Sequence, residues 1–263
     1  MSTALSFKTQ PPKLVSMPTS SYDEVNMDEM NALQSRYAWI AEPIIRASEA
    51  ITLMPFFTWI EELSSAQQFS DCAQQLFYHS ATFPKVMGLM LATTPHSENS
   101  MMPFYAKHAF GEADHHELLM MWMLKQGILR KRHDIEDVIL TPETNACINM
   151  AYQLAIEQDR EKWIVAVNCG IERCSNDFFK AIAPMMRKLG AGDTYFDLHV
   201  EADEFHSIMG LKYLQETPNS LTRRRQLIAK GLESVSLWAA MIHSWIGVSI
   251  HPQFSLDGRL LRT

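Results

Sequence analysis

The chain has 263 residues, 47% of them hydrophobic and 20% charged, which is enough apolar material to bury a large core. Its formal net charge of −7 and pI near 5.8 argue against nucleic acid as the main partner. The cysteines show no CxxC spacing, the N-terminus lacks a basic segment followed by an apolar one, and no apolar run reaches the roughly 18 residues that cross a bilayer. We therefore expect a cytoplasmic protein without a disulfide framework and without a membrane partner.

The composition favours helices. Only 10 glycines and 12 prolines are present, long stretches are rich in Ala, Leu, Met, Gln and Glu, and alternating β-branched residues are almost absent. These patterns predict an all-α protein of about seven helices. We expect a single domain over residues 25–250, a flexible N-terminal arm over residues 1–24, where Pro, Ser and Thr are frequent, and a C-terminal tail over residues 251–263.

Apolar residues at helical spacing place the individual helices. The predicted spans are residues 27–50, 55–60, 69–91, 103–126, 143–158, 163–179, 193–210 and 221–246. Pro43 is expected to bend or divide the first helix and Pro84 to kink the third. Asp193 or Thr194 is the expected N-cap of the helix that begins there.

The segment FDLHVEADEFHSIMG places three metal-binding side chains on one helix face. His199, Asp203 and His206 are spaced by four and three residues, so at about 100° per residue they fall within roughly 60° of arc. Apolar residues border this face, and ionisable groups in such a place need a partner. The mixture of nitrogen and oxygen ligands suits iron, manganese or zinc. A charged surface helix is the alternative, because Glu201 and Glu204 make the segment acidic.

A second segment, HAFGEADHHELLMMW, repeats this spacing. His108, Glu112 and His115 have the same separations as the first three residues, and two such helices are harder to explain as surface decoration than one. The neighbouring polar residues are expected to point into solvent; they are Asp114, His116 and Glu117. His108 ranks below Glu112 and His115 as a ligand, because a buried structural histidine would explain it equally well.

Glu172 follows an apolar run. The preceding residues, WIVAVNCG, contain Asn168 as their single strongly polar side chain, so this part of the helix should be deeply buried. A carboxylate there is costly unless it is paired or bound to a metal. Arg173 lies about 100° away around the helix and is a poor neutraliser. Glu172 is therefore predicted to be a metal ligand, with a buried ion pair as the alternative.

These residues resemble the haem-oxygenase-like diiron oxidases and oxygenases, relatives of the thiaminase II (TenA) and pyrroloquinoline-quinone synthase folds. The resemblance covers roughly residues 50–248, and the run PFFTWIEELSSAQQFSDCAQQLFYHSATFPKVMGLML is similar to the first packed helices of that fold. In that family a Glu and a His from one helix, a Glu from the next core helix and a His-x3-Asp-x2-His segment bind two irons. By this resemblance the ligands, which would also be the catalytic centre, are Glu112, His115, Glu172, His199, Asp203 and His206.

The resemblance implies a non-haem diiron enzyme that uses dioxygen to oxidise an amino acid, an aromatic acid or a fatty acid. Two iron ions are the expected cofactor, and manganese or a homodimer would also be compatible with the sequence. The spacing of three between Glu112 and His115 resembles that of the bacterial fatty-acid decarboxylase, although Met87 stands where that enzyme has a Glu. The expected pocket wall, which a simple apolar core would explain as well, comprises Met87, Met90, Met120, Met121, Met123 and Trp122.

Two other classes remain open at this point. A ferritin-like diiron bundle would use the same Glu and His pairs, but it needs a further Glu from an early helix and has no use for His199. A haem-oxygenase-like scaffold with a decayed site would act as an interaction or regulatory protein.

Overall fold

The computed structural model describes residues 27–218 and 220–263, with the side chain of Met27 left out. The predicted flexible arm lies outside the described residues. The α-helices in the described part are α1 (Met27–Arg36), α2 (Ala38–Ile51), α3 (Pro55–Glu61), α4 (Ser70–Thr93), α5 (Met102–Gly111), α6 (His115–Lys125), α7 (Pro142–Glu157), α8 (Arg160–Trp163), α9 (Arg173–Lys188), α10 (Thr194–Met209) and α11 (Leu221–Ser244). Short 3-10 turns cover Ala66–Phe69, His96–Met101, Arg132–Asp137 and Leu211–Tyr213. The all-α prediction is confirmed.

Three of the predicted helical spans are divided, which is why the described part has more helices than the expected seven or so. In the last of them, residues 163–179, a π-helical segment separates α8 from α9. The first division falls at Tyr37 (φ −107°, ψ 28°), whereas Pro43 lies inside α2. The second separates α5 from α6 at residues 112–114, where Asp114 has φ −118° and ψ 1°. Gly111 and Asp114 are both weak helix formers, which fits a break at this point. Glu112 and His115 therefore flank a turn and do not share one continuous helix.

Several helices begin at a side-chain cap. The hydroxyl or carboxylate oxygen of the capping residue accepts a backbone N–H at the start of α7, α8, α10 and α11; the caps are Thr141, Asp159, Asp193 and Ser220. Such caps satisfy N–H groups that have no partner inside the helix. Of the two residues expected to cap α10, Asp193 is the one that does so.

A π-helical segment, Ile164–Glu172, joins α8 to α9. All nine of its residues are buried, which confirms the deep burial expected before Glu172. The segment packs against α11 and α10, and Gly170 lies against Gly231 and Ser234 of α11. Because π-helical turns are frequent at functional sites, this segment draws attention to the residue at its end, Glu172.

The other helices surround the buried π-helical segment. α9 packs along α10, α4 packs against α5, α6 and α7, and α2 packs against α11. One apolar core runs through these contacts, from Met30 to Trp245. The segment expected to be a C-terminal tail forms an antiparallel hairpin of β1 (Gln253–Phe254) and β2 (Leu260–Arg262). Its turn lies on α2, where Arg46 donates a hydrogen bond to the carbonyl of Asp257 over 2.8 Å.

We predict that Gly170→Ala lowers the free energy of unfolding by about 1–3 kcal/mol, because overpacking of a closed interface costs that much. A Cβ at this position would lie 1.9 Å from Oγ of Ser234 and 3.2 Å from the carbonyl oxygen of Gly231. Gly88→Ala is the matched control: it also lies within a helix, nothing lies within 4 Å of its Cβ, and it should be neutral or raise stability by up to about 1 kcal/mol. Urea unfolding measures both, and equal effects would contradict the close crossing of the π segment and α11.

Candidate metal centre

Four segments of the chain bring metal-binding side chains together in the core. α5 and the turn that follows it provide His108 and Glu112, the first residue of α6 is His115, and the π segment ends at Glu172. One face of α10 adds the remaining three. Each of the seven is between 1% and 5% exposed: His108, Glu112, His115, Glu172, His199, Asp203 and His206. The sequence-predicted residues thus lie in one buried region, and His108 lies with them.

Six of these side chains form two groups that share Glu112. Within each group the donor atoms lie within 4.8 Å of one another. The first group is His108, Glu112, Glu172 and His206, and the second is Glu112, His115 and His199. A carboxylate has two oxygen atoms, so one side chain can serve both groups. The arrangement thus brings together two sets of possible metal ligands that have Glu112 in common.

The distances within the groups fit ligands around an ion. Nε2 of His108 lies 2.8 Å from Oε1 of Glu172, and Nδ1 of His206 lies 3.1 Å from Oε1 of Glu112. Nδ1 of His115 lies 2.8 Å from Oε2 of Glu112. Donor atoms bound at about 2.1 Å and at right angles around an ion are roughly 3 Å apart. The observed spacing is close to that value.

Two of these donor atoms have no hydrogen bond within the described part of the chain. They are Oε1 of Glu112 and Nδ1 of His115, and both are fully shielded from solvent. Each of them still faces a polar atom of a neighbouring group: Nδ1 of His115 lies 2.8 Å from Oε2 of Glu112, and Oε1 of Glu112 lies 3.1 Å from Nδ1 of His206. Because buried polar atoms in folded proteins are almost always hydrogen-bonded, carboxylate and imidazole atoms that lie this close without a hydrogen bond fit a shared cation.

The pKa values of the carboxyl groups also fit a cation. Burial raises the pKa of Glu172 to about 8. Burial, followed by the charges of Glu172 and Glu112, raises the pKa of Asp203 well above its ordinary value. Burial would also raise the pKa of Glu112, but the charges of His115 and His206 lower it well below its usual range. Three carboxylates this close would stay ionised at neutral pH only with added positive charge, which metal ions supply.

Asp203 lies at the edge of the two groups. It lines the same cavity as Glu112, Glu172 and His199, but it does not belong to either close group of donor atoms. Oγ of Ser175, one turn beyond Glu172, donates a hydrogen bond of 2.6 Å to its Oδ2. This hydrogen bond fixes the carboxylate and leaves Oδ1 available to a ligand.

Further contacts orient the histidines. Nδ1 of His199 lies 2.7 Å from the carbonyl oxygen of Tyr195. A carbonyl oxygen only accepts, so Nδ1 carries the proton and the lone pair of Nε2 is free for a metal. The ring also stacks on Phe179, with centroids 4.2 Å apart. The side chain of Asn168, in the π segment, donates a hydrogen bond of 3.0 Å to the backbone carbonyl of His206 and so ties α10 to that segment.

A small cavity of about 20 Å³ lies beside the donors, which is room for roughly one water-sized molecule. α4 forms one wall with Leu76, His79, Ser80 and Phe83. None of the residues expected as the wall lines this cavity. Most of them are buried elsewhere in the core, whereas Met121 is 52% exposed. The Met-rich face therefore belongs to simple core packing.

Sequence reasoning did not single out His79 or Ser175. A signal for His79 was available, because an ionisable residue stands three positions after Leu76 and four before Phe83, within an apolar helical stripe. Ser175 carries no such signal, since a serine one turn after a buried Glu is common in helices. His243 lies outside the centre and accepts a hydrogen bond from the N–H of Phe56 over 3.2 Å.

Solved structures share this fold. A TenA homologue from Pseudomonas syringae pv. tomato matches with a TM-score of 0.63 and 14% identity, covering 83% of this chain and 92% of that chain. A domain of unknown function with a haem-oxygenase-like fold from Shewanella denitrificans gives a TM-score of 0.61 and 13% identity, with coverages of 85% and 93%. A TenA homologue from Pyrococcus furiosus gives 0.52 and 13%, with coverages of 82% and 97%. The predicted haem-oxygenase-like bundle is confirmed.

The family follows from the sequence. The sequence model of a family described as iron-containing redox enzymes matches residues 70–239, more than half of the chain. The chain belongs to this family. The matched range contains all seven buried donor residues, from His108 to His206. Among curated proteins, none matches the chain. In the described part of the chain, no helix is both long and apolar enough to span a membrane.

We predict that Glu112→Gln removes more metal than any other single change, because Glu112 belongs to both donor groups. After anaerobic loading with Fe(II) and desalting, this variant should retain less than one ion per chain, against about two in the parent protein. His115→Ala should affect the second group alone and leave about one. Elemental analysis measures the ratio. The control is His116→Ala, which should bind as the parent does; a loss as large as that of Glu112→Gln would show that the ligands are assigned one residue out of place.

We also predict that the metal-free protein loses stability as pH rises from about 6.5 to 8. The folded state keeps a proton on Glu172 up to about pH 8, whereas the unfolded chain releases it near 4.5, so the folded state binds more protons in this range and stability falls. Asp203 acts in the same direction. The raised pKa of His115 adds to the fall above 6.5. Histidines with lowered pKa values act the opposite way but only below 6.5; they are His79, His108, His116, His199 and His243.

Thermal unfolding in the presence of a chelator at several pH values measures this slope. Glu172→Gln should make the slope shallower because Gln has no proton to lose, while Glu136→Gln, an exposed change, should leave it as it is. A stability that rises from pH 6.5 to 8 in the metal-free parent would contradict the raised pKa of Glu172.

Proposed function

We propose that this protein is a non-haem diiron enzyme that uses dioxygen to oxidise a small organic substrate. The observation that carries the proposal is the pair of buried donor groups joined by Glu112. The iron-containing redox family to which the chain belongs supports iron as the metal. Iron and manganese are commonly bound by imidazole and carboxylate ligands, whereas thiolate and thioether ligands favour other metals.

Two iron ions, when bound, would supply dioxygen binding and the transfer of electrons to it. The chain contributes the rest. Glu112 would join the two half-sites, and Glu172, His108 and His206 would hold one of them. Ser175 holds Asp203, and the carbonyl of Tyr195 fixes the tautomer of His199. The surrounding apolar core excludes water, which strengthens every electrostatic contact within the site.

The size of the cavity limits what can enter. A space of about 20 Å³ suits dioxygen or water but is smaller than any amino acid, aromatic acid or fatty acid, the substrate classes that the resemblance implies. An organic substrate would need the cavity wall to move. α4 supplies four of the lining residues, so displacement of Leu76 or Phe83 would enlarge the space.

The ferritin-like alternative fits less well. A ferritin-like centre takes a carboxylate from each of its helix pairs, yet the residues that α4 turns towards the cavity are Leu76, His79, Ser80 and Phe83, none of them acidic. His199, which that alternative leaves without a role, lines the cavity and belongs to a donor group. A decayed scaffold would not keep seven buried donors together, because each one costs stability.

Iron loading and oxygen uptake test the proposal together. We expect protein loaded anaerobically with Fe(II) to hold about two irons per chain and to consume dioxygen faster when its substrate is present. A panel of amino acids, aromatic acids and fatty acids would be compared in an oxygen electrode, with Glu112→Gln as the inactive control. Failure to bind iron would favour the scaffold, and accumulation of ferric iron far beyond two per chain would favour the ferritin-like reading.

A further inference from the structure

His79 occupies a defined place on the cavity wall. It lies on α4, faces the cavity and is 7% exposed. Its ring stacks on Phe83 with centroids 5.4 Å apart and 27° between the planes. Trp238 meets the ring edge-on at 5.3 Å and 86°. Two aromatic neighbours therefore fix the imidazole in one orientation.

Despite this burial, the ring nitrogens lack a protein partner. No residue in the described ranges, 27–218 and 220–263, hydrogen-bonds to His79, and it belongs to neither donor group. Burial lowers the pKa of His79 to about 4, so the ring is neutral at pH 7 and has one N–H donor and one lone pair. A buried polar group of this kind is normally satisfied by water, an ion or a ligand.

Two hydroxyl groups of the cavity wall already have partners. Oγ of Ser80 lies 3.3 Å from the hydroxyl of Tyr195, and Oγ of Ser175 donates to Asp203. The carboxylates Glu112 and Glu172 line the same cavity. Among the described lining residues, the neutral N–H donors without a hydrogen bond to the protein are His79 and Trp238, whose Nε1 is buried. Of these two, the imidazole also has a lone pair and can adjust its tautomer to the molecule in the cavity.

We propose that His79 donates a hydrogen bond to the small non-protein ligand that occupies this cavity beside the metal ligands. The cavity limits that ligand to a diatomic or water-sized molecule with a lone pair, such as dioxygen or water. The proposal rests on the proposed function, because the ligand would be held by iron on one side and by His79 on the other. His79 is thus a ligand-binding residue of the centre and not one of its metal ligands.

Nitric oxide is a suitable probe, because it is diatomic, binds Fe(II) reversibly and has a stretching vibration that responds to hydrogen bonding. The Fe(II)-loaded parent protein would be compared with His79→Phe, which keeps an aromatic ring between Phe83 and Trp238 but has no N–H. His79→Gln keeps a donor, and His133→Phe is a control on the exposed surface. Iron content and thermal unfolding of each variant are measured first.

We expect all four proteins to bind iron equally, since His79 is outside both donor groups. Nitric oxide should leave His79→Phe about 5-fold faster than the parent, the effect of losing one hydrogen bond. Its N–O stretching frequency should rise, and the shift seen when the parent is transferred to D₂O should disappear. His79→Gln should retain the D₂O shift, and His133→Phe should match the parent.

The possible failures are distinct. If the parent takes up no iron, both the proposed function and the role of His79 are overturned. If iron binds but nitric oxide leaves the parent and His79→Phe at the same rate with the same N–O frequency, the metal centre stands and the role of His79 is overturned. Should His79→Phe fail to fold, the absence of any D₂O shift in the iron-loaded parent protein would overturn the role of His79 as well.

Discussion

The central constraint on this structure is the burial of three carboxylates and several histidines around Glu112, in a core that otherwise consists of apolar side chains. Charges in such a place are costly unless they meet opposite charge. Within the protein the histidines around Glu112 and Glu172 provide part of this compensation, and the raised pKa values of Glu172 and Asp203 show that it is incomplete. Bound metal would complete it, so that part of the metal-binding free energy becomes folding free energy.

The positions of the donors follow from irregular backbone as much as from helix faces. The turn after α5 places Glu112 between two groups, and a π segment ends at Glu172. α10 is the regular partner, and its spacing of four and three sets His199, Asp203 and His206 on one buried face. The centre thus combines two irregular elements, the turn after α5 and the π segment, with one regular helix, α10. Such local departures from regular structure are typical of functional sites.

Much of this was available from the sequence. Hydrophobic periodicity predicts the helices and the buried face of α10, and the apolar run before Glu172 predicts that this residue is buried. Periodicity has no signal for a short turn whose residues remain in nearly helical conformation, so the separation of α5 from α6 was missed. The π segment was missed because its residues are apolar on every side and define no face. His79 was not predicted for a different reason. Its proposed role depends on the cavity that it lines, and this cavity arises only from the packing of several helices.

The π segment also affects how this chain can vary. Bonding from each residue to the fifth one along stores more chain in a given length than an α-helix does. Loss of one residue from Ile164–Glu172 would therefore be absorbed by rewinding of a π turn into an α turn, which leaves the faces of α8 and the position of Glu172 nearly unchanged. Insertions and deletions at this point would change the winding of the segment and would not add loops. Homologous chains should then differ in the number of residues between α8 and this glutamate while keeping the centre itself unchanged.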